Sequence, residues 1–266
     1  MSFKTAARRG APILFLTLAL VAAALFAGRF GAEASLRADG AACPRISEAA
    51  KLPLRPGGGR LRGDVDGDGA LDYVSVRYAP RSRASCGFLL VVKTQSRVLA
   101  VTVPEWYKPP QDLKIRDWWP AEPFLAAIVR LDPHRDQIVV ARSRGASVVS
   151  VSVYGVVGGK LLPLHFHRAF YQDTLLPLGG TVGTGDTNVR CVRSGPLILL
   201  SRGPTSATGR RWFVTRSKYR LIKNRFWRVR NRTVRSSMRR VDALARRWGM
   251  DALPFTGCTV AHGRRL

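Results

Sequence analysis

Aspartates recur at alternate positions in the stretch Asp64-Val65-Asp66-Gly67-Asp68-Gly69-Ala70-Leu71-Asp72. Carboxylates crowded this closely repel one another unless a cation sits among them. A hard divalent cation takes six to eight oxygens at about 2.3–2.6 Å. A tightly coiled loop can turn Asp64, Asp66, Asp68 and Asp72 toward one point, and the carbonyl of Ala70 adds a further oxygen. Gly67 and Gly69 supply the positive φ that such coiling demands. An EF-hand would need a bidentate glutamate at its twelfth position, where this chain has Ser75, so that motif is excluded. Calcium is the expected ion. The alternative is an acidic β-turn rich in Asp and Gly.

The elements around the loop are strands. Asp72 runs straight into Tyr73-Val74-Ser75-Val76. This arrangement resembles the DxDGDGxxD loop of FG-GAP (or VCBS) repeats, the calcium loops of integrin-type β-propellers, and all four carboxylates match. The Phe-Gly and Gly-Ala-Pro signatures of that family are reduced to Tyr78-Ala79-Pro80. The resemblance implies propeller-blade-like β units and a structural rather than catalytic calcium.

An internal repeat supports a unit of about 60 residues. Val148–Leu164 can be laid over Phe213–Val229, with Tyr154 on Tyr219 and Gly159 on Asn224. Each reads as strand, tight turn, strand, with the αL position of a three-residue hairpin loop at Gly159 and Asn224. A strand precedes each hairpin, at Gln137–Ala141 and Pro196–Leu200, and a looser copy runs from Tyr73 through Leu89–Lys93 to Val98–Val103. The expected fold is mainly β: three antiparallel units at about 61–104, 122–168 and 186–234 within 61–258, with ring closure left open. The second unit carries only Asp132-Pro133-His134-Arg135-Asp136 and the third only Gly185-Asp186-Thr187-Asn188. Arg and His replace oxygen ligands in the second, so calcium is expected once.

Lys4, Arg8 and Arg9 precede an apolar run from Ala11 to Gly28. This is an export signal, either cleaved after Ala32-Glu33-Ala34 or retained as an N-terminal anchor helix. Residues 1–34 are therefore signal or anchor, and 35–60 read as a linker ending in the tether Arg55-Pro56-Gly57-Gly58-Gly59. The chain beyond would lie outside the cytoplasm, membrane-anchored or secreted. Four cysteines without a CxxC argue against zinc and dithiol redox chemistry and for two disulfides. Of three connectivities the expected one is Cys43–Cys86 with Cys191–Cys258, each within one end of the chain.

The 266-residue chain has a formal net charge of +27, which favours contact with polyanions and says nothing of fold. Between Arg202 and Arg247 basic residues outnumber acidic ones sixteen to one. With a three-residue loop in the third hairpin, Phe213, Tyr219, Leu221, Trp227 and Val229 share one face. Arg216, Lys218, Arg220, Arg228, Arg230 and Arg232 share the other. That face is either a solvated surface or a polyanion site for anionic lipid headgroups, wall polymer or nucleic acid. A helix is expected over 236–249, capped by Ser236 or Ser237 and ended by Gly249. Its stripe is Met238, Val241, Leu244, Ala245 and Trp248, with an Asp242–Arg246 i,i+4 pair.

Other candidates carry less. Trp106, Tyr107, Trp118 and Trp119 cluster near prolines, as sugar-stacking or packing groups. His165 and His167 share a strand face without a carboxylate or cysteine to complete a metal set. No G-x-S-x-G, H-E-x-x-H or P-loop occurs. The expected role is binding or scaffolding at the cell surface rather than catalysis. The competing class is a secreted hydrolase with an unrecognised site.

Overall fold

Three strands of the chain are apolar at every position instead of alternating, which requires cover on both of their faces. They are Phe88–Val92, Ile138–Ala141 and Leu197–Leu200, all buried. The computed structural model describes residues 43–55, 58–79, 86–103, 123–144, 148–168, 174, 176–181, 185–192, 197–205 and 211–263. The export segment 1–34, the linker as far as 42, and the tryptophans at 106, 118 and 119 lie outside the described residues.

The protein is mainly β. A first antiparallel sheet has the order β1 (Arg60–Gly63), β2 (Asp72–Tyr78), β3 (Phe88–Lys93), β4 (Val98–Thr102). The second sheet opens with β5 (Phe124–Asp132), β6 (Arg135–Arg144) and β7 (Val148–Val157). The edge of β7 is then shared: β8 (Lys160–Pro163) pairs with its C-terminal half and β10 (Leu176–Thr181) with its N-terminal half. From β10 the sheet continues through β11 (Gly185–Cys191), β12 (Leu197–Pro204), β13 (Trp212–Ile222) and β14 (Arg225–Ser236). It ends on the two-residue β9 (His165–Phe166), which joins β14 in parallel, whereas the other pairings are antiparallel. At its opposite edge β15 (Thr259–Gly263) pairs with β5. Among the described residues both sheets are open paths.

The apolar faces stack in layers. Phe88, Leu90 and Val92 meet Ile138, Val140 and Tyr154 in one core. Val139, Ala141, Val151 and Val153, on the reverse of β6 and β7, meet Leu197, Leu199, Tyr219 and Phe226 in a second. Ile198 and Leu200, on the reverse of β12, pack with Trp212 and Val214 beneath helix α2 (Met238–Trp248). Leu89 and Val91 pack beneath helix α1 (Ile46–Ala49) and its neighbours. Burial of each large apolar side chain in these layers contributes ~1.5–3 kcal/mol. The aromatic centre of the second core is Phe166, stacked on Phe226 at 4.5 Å and edge-on to Tyr219 at 5.8 Å.

Residues 43–55 belong to the folded part rather than to a linker. Arg55 N–H donates to the Val76 carbonyl and Tyr78 N–H to that of Pro53. The two disulfides are Cys43–Cys86 and Cys191–Cys258, as expected. The first pins the N-terminal segment to β3; the second pins 255–258 to β11. Closing a loop with a sequence separation of 67 contributes about 4 kcal/mol in the chain-entropy account. Both bonds fit an extracellular or otherwise oxidising compartment. Among the described residues no helix is long and apolar enough to cross a membrane.

Helix α2 starts at Ser237 and stops at Gly249, whose φ of 87° is left-handed. Val241, Ala245 and Trp248 face the sheet, while Met238 is exposed. The expected Asp242–Arg246 pair is replaced: Asp242 accepts from Arg202 at 3.0 Å. Arg202 is nearly buried on β12, so its need for a carboxylate outweighs the few tenths of a kcal/mol that an exposed helical pair offers.

Candidate functional site

The acidic loop is the connection between β1 and β2. Its coiling is held by its own aspartates. Asp64 Oδ1 accepts from Gly67 N–H at 2.9 Å, Asp66 Oδ1 from Asp68 N–H at 3.3 Å, and Asp68 Oδ1 from Ala70 N–H at 2.8 Å. Gly67 has φ 84°, and a Cβ there would lie 3.0 Å from the His134 carbonyl, so backbone conformation and space both favour glycine. The loop thereby docks on the turn between β5 and β6.

That docking runs through Asp136, 72 residues away in sequence. Its N–H donates to the Asp64 carbonyl at 2.7 Å, and its Oδ2 accepts from Asp64 N–H at 3.0 Å. Its Oδ1 accepts from Arg130 Nε at 2.8 Å. In sequence Asp136 is the last acid of a decayed loop; in the structure it is the clamp for the intact one. No local signal announces a bond across that separation.

Asp72, the first residue of β2, is 1% exposed. Its Oδ2 accepts from Val65 N–H at 2.9 Å and Asp66 N–H at 3.3 Å, while its Oδ1 has no partner. Burial pushes its pKa up to about 6, and the charges of Asp66 and Asp68 push the same way against the two backbone donors. A ligand oxygen from each of Asp64, Asp66 and Asp72 lies within 4.8 Å of the others. Of the expected ligands, the structure brings these three together. Asp68 stands outside the trio with Oδ1 on Ala70 N–H.

The residues present fit a hard cation. The donor set is all carboxylate, which suits calcium or magnesium over softer metals. A buried carboxylate oxygen without a donor costs free energy unless something positive meets it.

The remnants in the other two hairpins differ. The second carries an Asp132–Arg135 ion pair of 3.5 Å, and Arg135 also donates to the Val156 carbonyl. In the third, Asp186 takes Arg202 at 2.8 Å, and buried Asn188 donates to the carbonyls of Met250 and Ala252. These acids and amides bind the protein to itself.

The basic hairpin is where the sequence reading needs correction. Its turn has two residues, Lys223 and Asn224, because Ile222 pairs with Arg225. Lys223 takes the positive φ of 56° that was expected of Asn224. A bulge follows between Lys218 and Tyr219. Changing a loop by one residue moves the following side chains to the other face, here only as far as the bulge, which restores the expected register beyond it. Arg228 therefore pairs with Tyr219, and Phe226 enters the core. Trp227 pairs with Arg220 on the basic face, 39% exposed, with Arg225 over its ring at 5.5 Å and His167 beside it at 4.7 Å. Arg216, Lys218, Arg220, Arg230 and Arg232 remain together on that face. His165 and His167 sit beside Arg225 and Trp227, and no carboxylate joins them in a metal-binding group among the described residues.

Comparisons of the chain with protein-family models, with curated proteins and with solved structures found no match. The functional reading therefore rests on the geometry alone.

Proposed function

We propose that the chain is an exported binding or scaffold protein of FG-GAP-like β units, whose first unit is locked by one structural calcium ion. The observation that carries the ion is the buried Asp72 carboxylate, which has one oxygen without a partner and groups with Asp64 and Asp66 within 4.8 Å. Asp64, Asp66 and Asp72 would hold the ion, with the Ala70 carbonyl as a further oxygen. Calcium supplies the positive charge that keeps the loop coiled ahead of β2; it takes part in no reaction.

The repeat reading draws support from equivalence of position. The acidic loop joins β1 to β2 and the remnant of the second unit spans the β5–β6 turn, at equivalent places, whereas that of the third, Gly185–Asn188, lies within β11. Tyr154 and Tyr219 are both buried, and each precedes its two-residue turn, Gly158-Gly159 or Lys223-Asn224, by four residues. Face-to-face stacking of β1–β4, β5–β8 and β11–β14 is how blades pack. The β7–β10 pairing departs from separate blades, since it fuses the second and third units into one sheet.

The test is thermal unfolding at pH 7.5. Calcium at 100 times its dissociation constant should stabilise the wild type by about 2.7 kcal/mol. Asp66→Ala should lose that gain, because it removes a ligand while breaking only the exposed bond to Asp68 N–H. A wild type whose Tm ignores calcium would defeat the reading.

A further inference from the structure

Two adjoining hollows open on the outer face of the β13–β14 hairpin, the second of them reaching helix α2. One, of about 270 Å3, is walled by Arg216, Lys218, Arg230 and Arg232, with Val192 and Ile198 on its floor. The next, of about 400 Å3, shares Arg216 and adds Arg190, Arg247 and Trp248. Among the described residues no carboxylate lines either one.

Within the ladder Arg216 pairs directly with Arg232, and Lys218 with Arg230. Like charges placed directly opposite are destabilising, and here two such rungs are stacked about 7 Å apart. The neighbouring strand treats its cation differently: Arg202 on β12 has both Asp186 and Asp242. The fold can therefore neutralise an arginine on this side of the sheet and leaves these four without an ion pair among the described residues.

Part of the groove is preset. Arg190 Nη1 donates to the Trp248 carbonyl at 2.8 Å, and Gly249 leaves it room, since a Cβ there would fall 2.1 Å from that nitrogen. The Arg232 guanidinium lies over the Trp248 ring at 5.8 Å. Held guanidiniums lose little freedom when an anion arrives and match phosphate oxygens in pairs.

We propose that this groove binds a linear phosphate polymer by its backbone charges alone. The proposal is independent of the cation site on the first sheet. The two hollows share Val192 and Arg216 and together gather six cations, more than one phosphate can meet, which suits a chain of phosphates; helix α2 edges the second hollow at Arg247 and Trp248. The first hollow has only Val192 and Ile198 beside its cations, and the one ring in the second, Trp248, is 8% exposed with the Arg232 guanidinium over it, so no free aromatic face is offered to a base.

The experiment uses the full chain in detergent and long-chain polyphosphate, which has neither bases nor acyl chains. Its affinity is measured across a salt series. Lys218→Gln with Arg230→Gln should weaken binding more than tenfold. It should also reduce the slope of log affinity on log salt by roughly 1.4, at about 0.7 per cation for a single chain. The matched pair Arg239→Gln with Arg240→Gln, on exposed positions of helix α2, should weaken it less than about twofold. Without ligand, the hairpin variant should melt no lower than wild type, because a like-charge rung has gone; each single substitution repeats the test if the pair fails to fold. Equal losses from the two pairs would overturn the proposal, leaving only diffuse attraction to a basic protein. So would tighter binding of oligothymidylate that Trp227→Ala abolishes, which makes the occupant a nucleic acid. Vesicles of phosphatidylglycerol that bind more tightly than polyphosphate, and are released by the hairpin pair, would assign the face to a membrane instead.

Discussion

Asp72, Asp136 and Asp186 each stand within the first two residues of a strand, β2, β6 and β11, and each is resolved differently. Asp136 has the Arg130 guanidinium and Asp186 has that of Arg202. Asp72 has two backbone donors on one oxygen, nothing on the other, and two like charges close by. Units two and three carry their own counter-charge in the sequence. The β1–β2 loop lacks it, and it is there that we propose an outside cation. The difference also separates two kinds of acidic turn. An aspartate answered by arginine closes the protein on itself; Asp72, with one buried oxygen unanswered, is the one for which we propose a ligand.

The comparison breaks most visibly at its internally neutralised end. Arg202→Met should cost about 3–5 kcal/mol, because it strands Asp186 and Asp242 in a nearly buried place. The fall in Tm should be the same in calcium and in chelator. A calcium-dependent loss would mean that the third unit also depends on the ion.

At the other end the effect is smaller and depends on pH. The Asp72 pKa is raised from 3.8 to about 6 in the folded chain. For a raised acid, the stabilisation is full below the unfolded pKa and is lost as pH rises through the folded one. The cation-free protein should therefore lose on the order of 2 kcal/mol from this residue between pH 4 and pH 7. Asp72→Asn does not titrate and keeps an acceptor for Val65 N–H. In chelator at pH 7.5 it should melt above wild type, and in calcium below it. Parallel melting curves for the two proteins across pH would show that Asp72 is not strained.

Much of the scaffold was legible in the residues. Both disulfides, the doubly apolar strands and helix α2 follow from cysteine placement and periodicity. The trio Asp64, Asp66 and Asp72 was legible because its spacing is local. Asp68 was not separable from them, since which aspartate turns inward depends on the backbone hydrogen bonds each one takes. The basic hairpin was misread because the turn length hangs on one residue: Lys223 adopts a positive φ that its type does not advertise. The bulge beside Tyr219 then cancels the shift, which keeps Arg230 and Arg232 opposite Lys218 and Arg216. Asp136 and the Arg202–Asp242 pair were invisible because both are long-range choices, decided by burial and not by neighbours in sequence.

The central claim is one calcium ion held by the loop between β1 and β2. Calorimetric titration of chelator-stripped full-length chain with calcium at pH 7.5 tests it most directly. The account predicts one site per chain, weakened as pH falls through 6 and lost in Asp66→Ala. No heat and no binding up to about 100 times the range of extracellular modules, whose constants run to ~10⁻³ M, would contradict it.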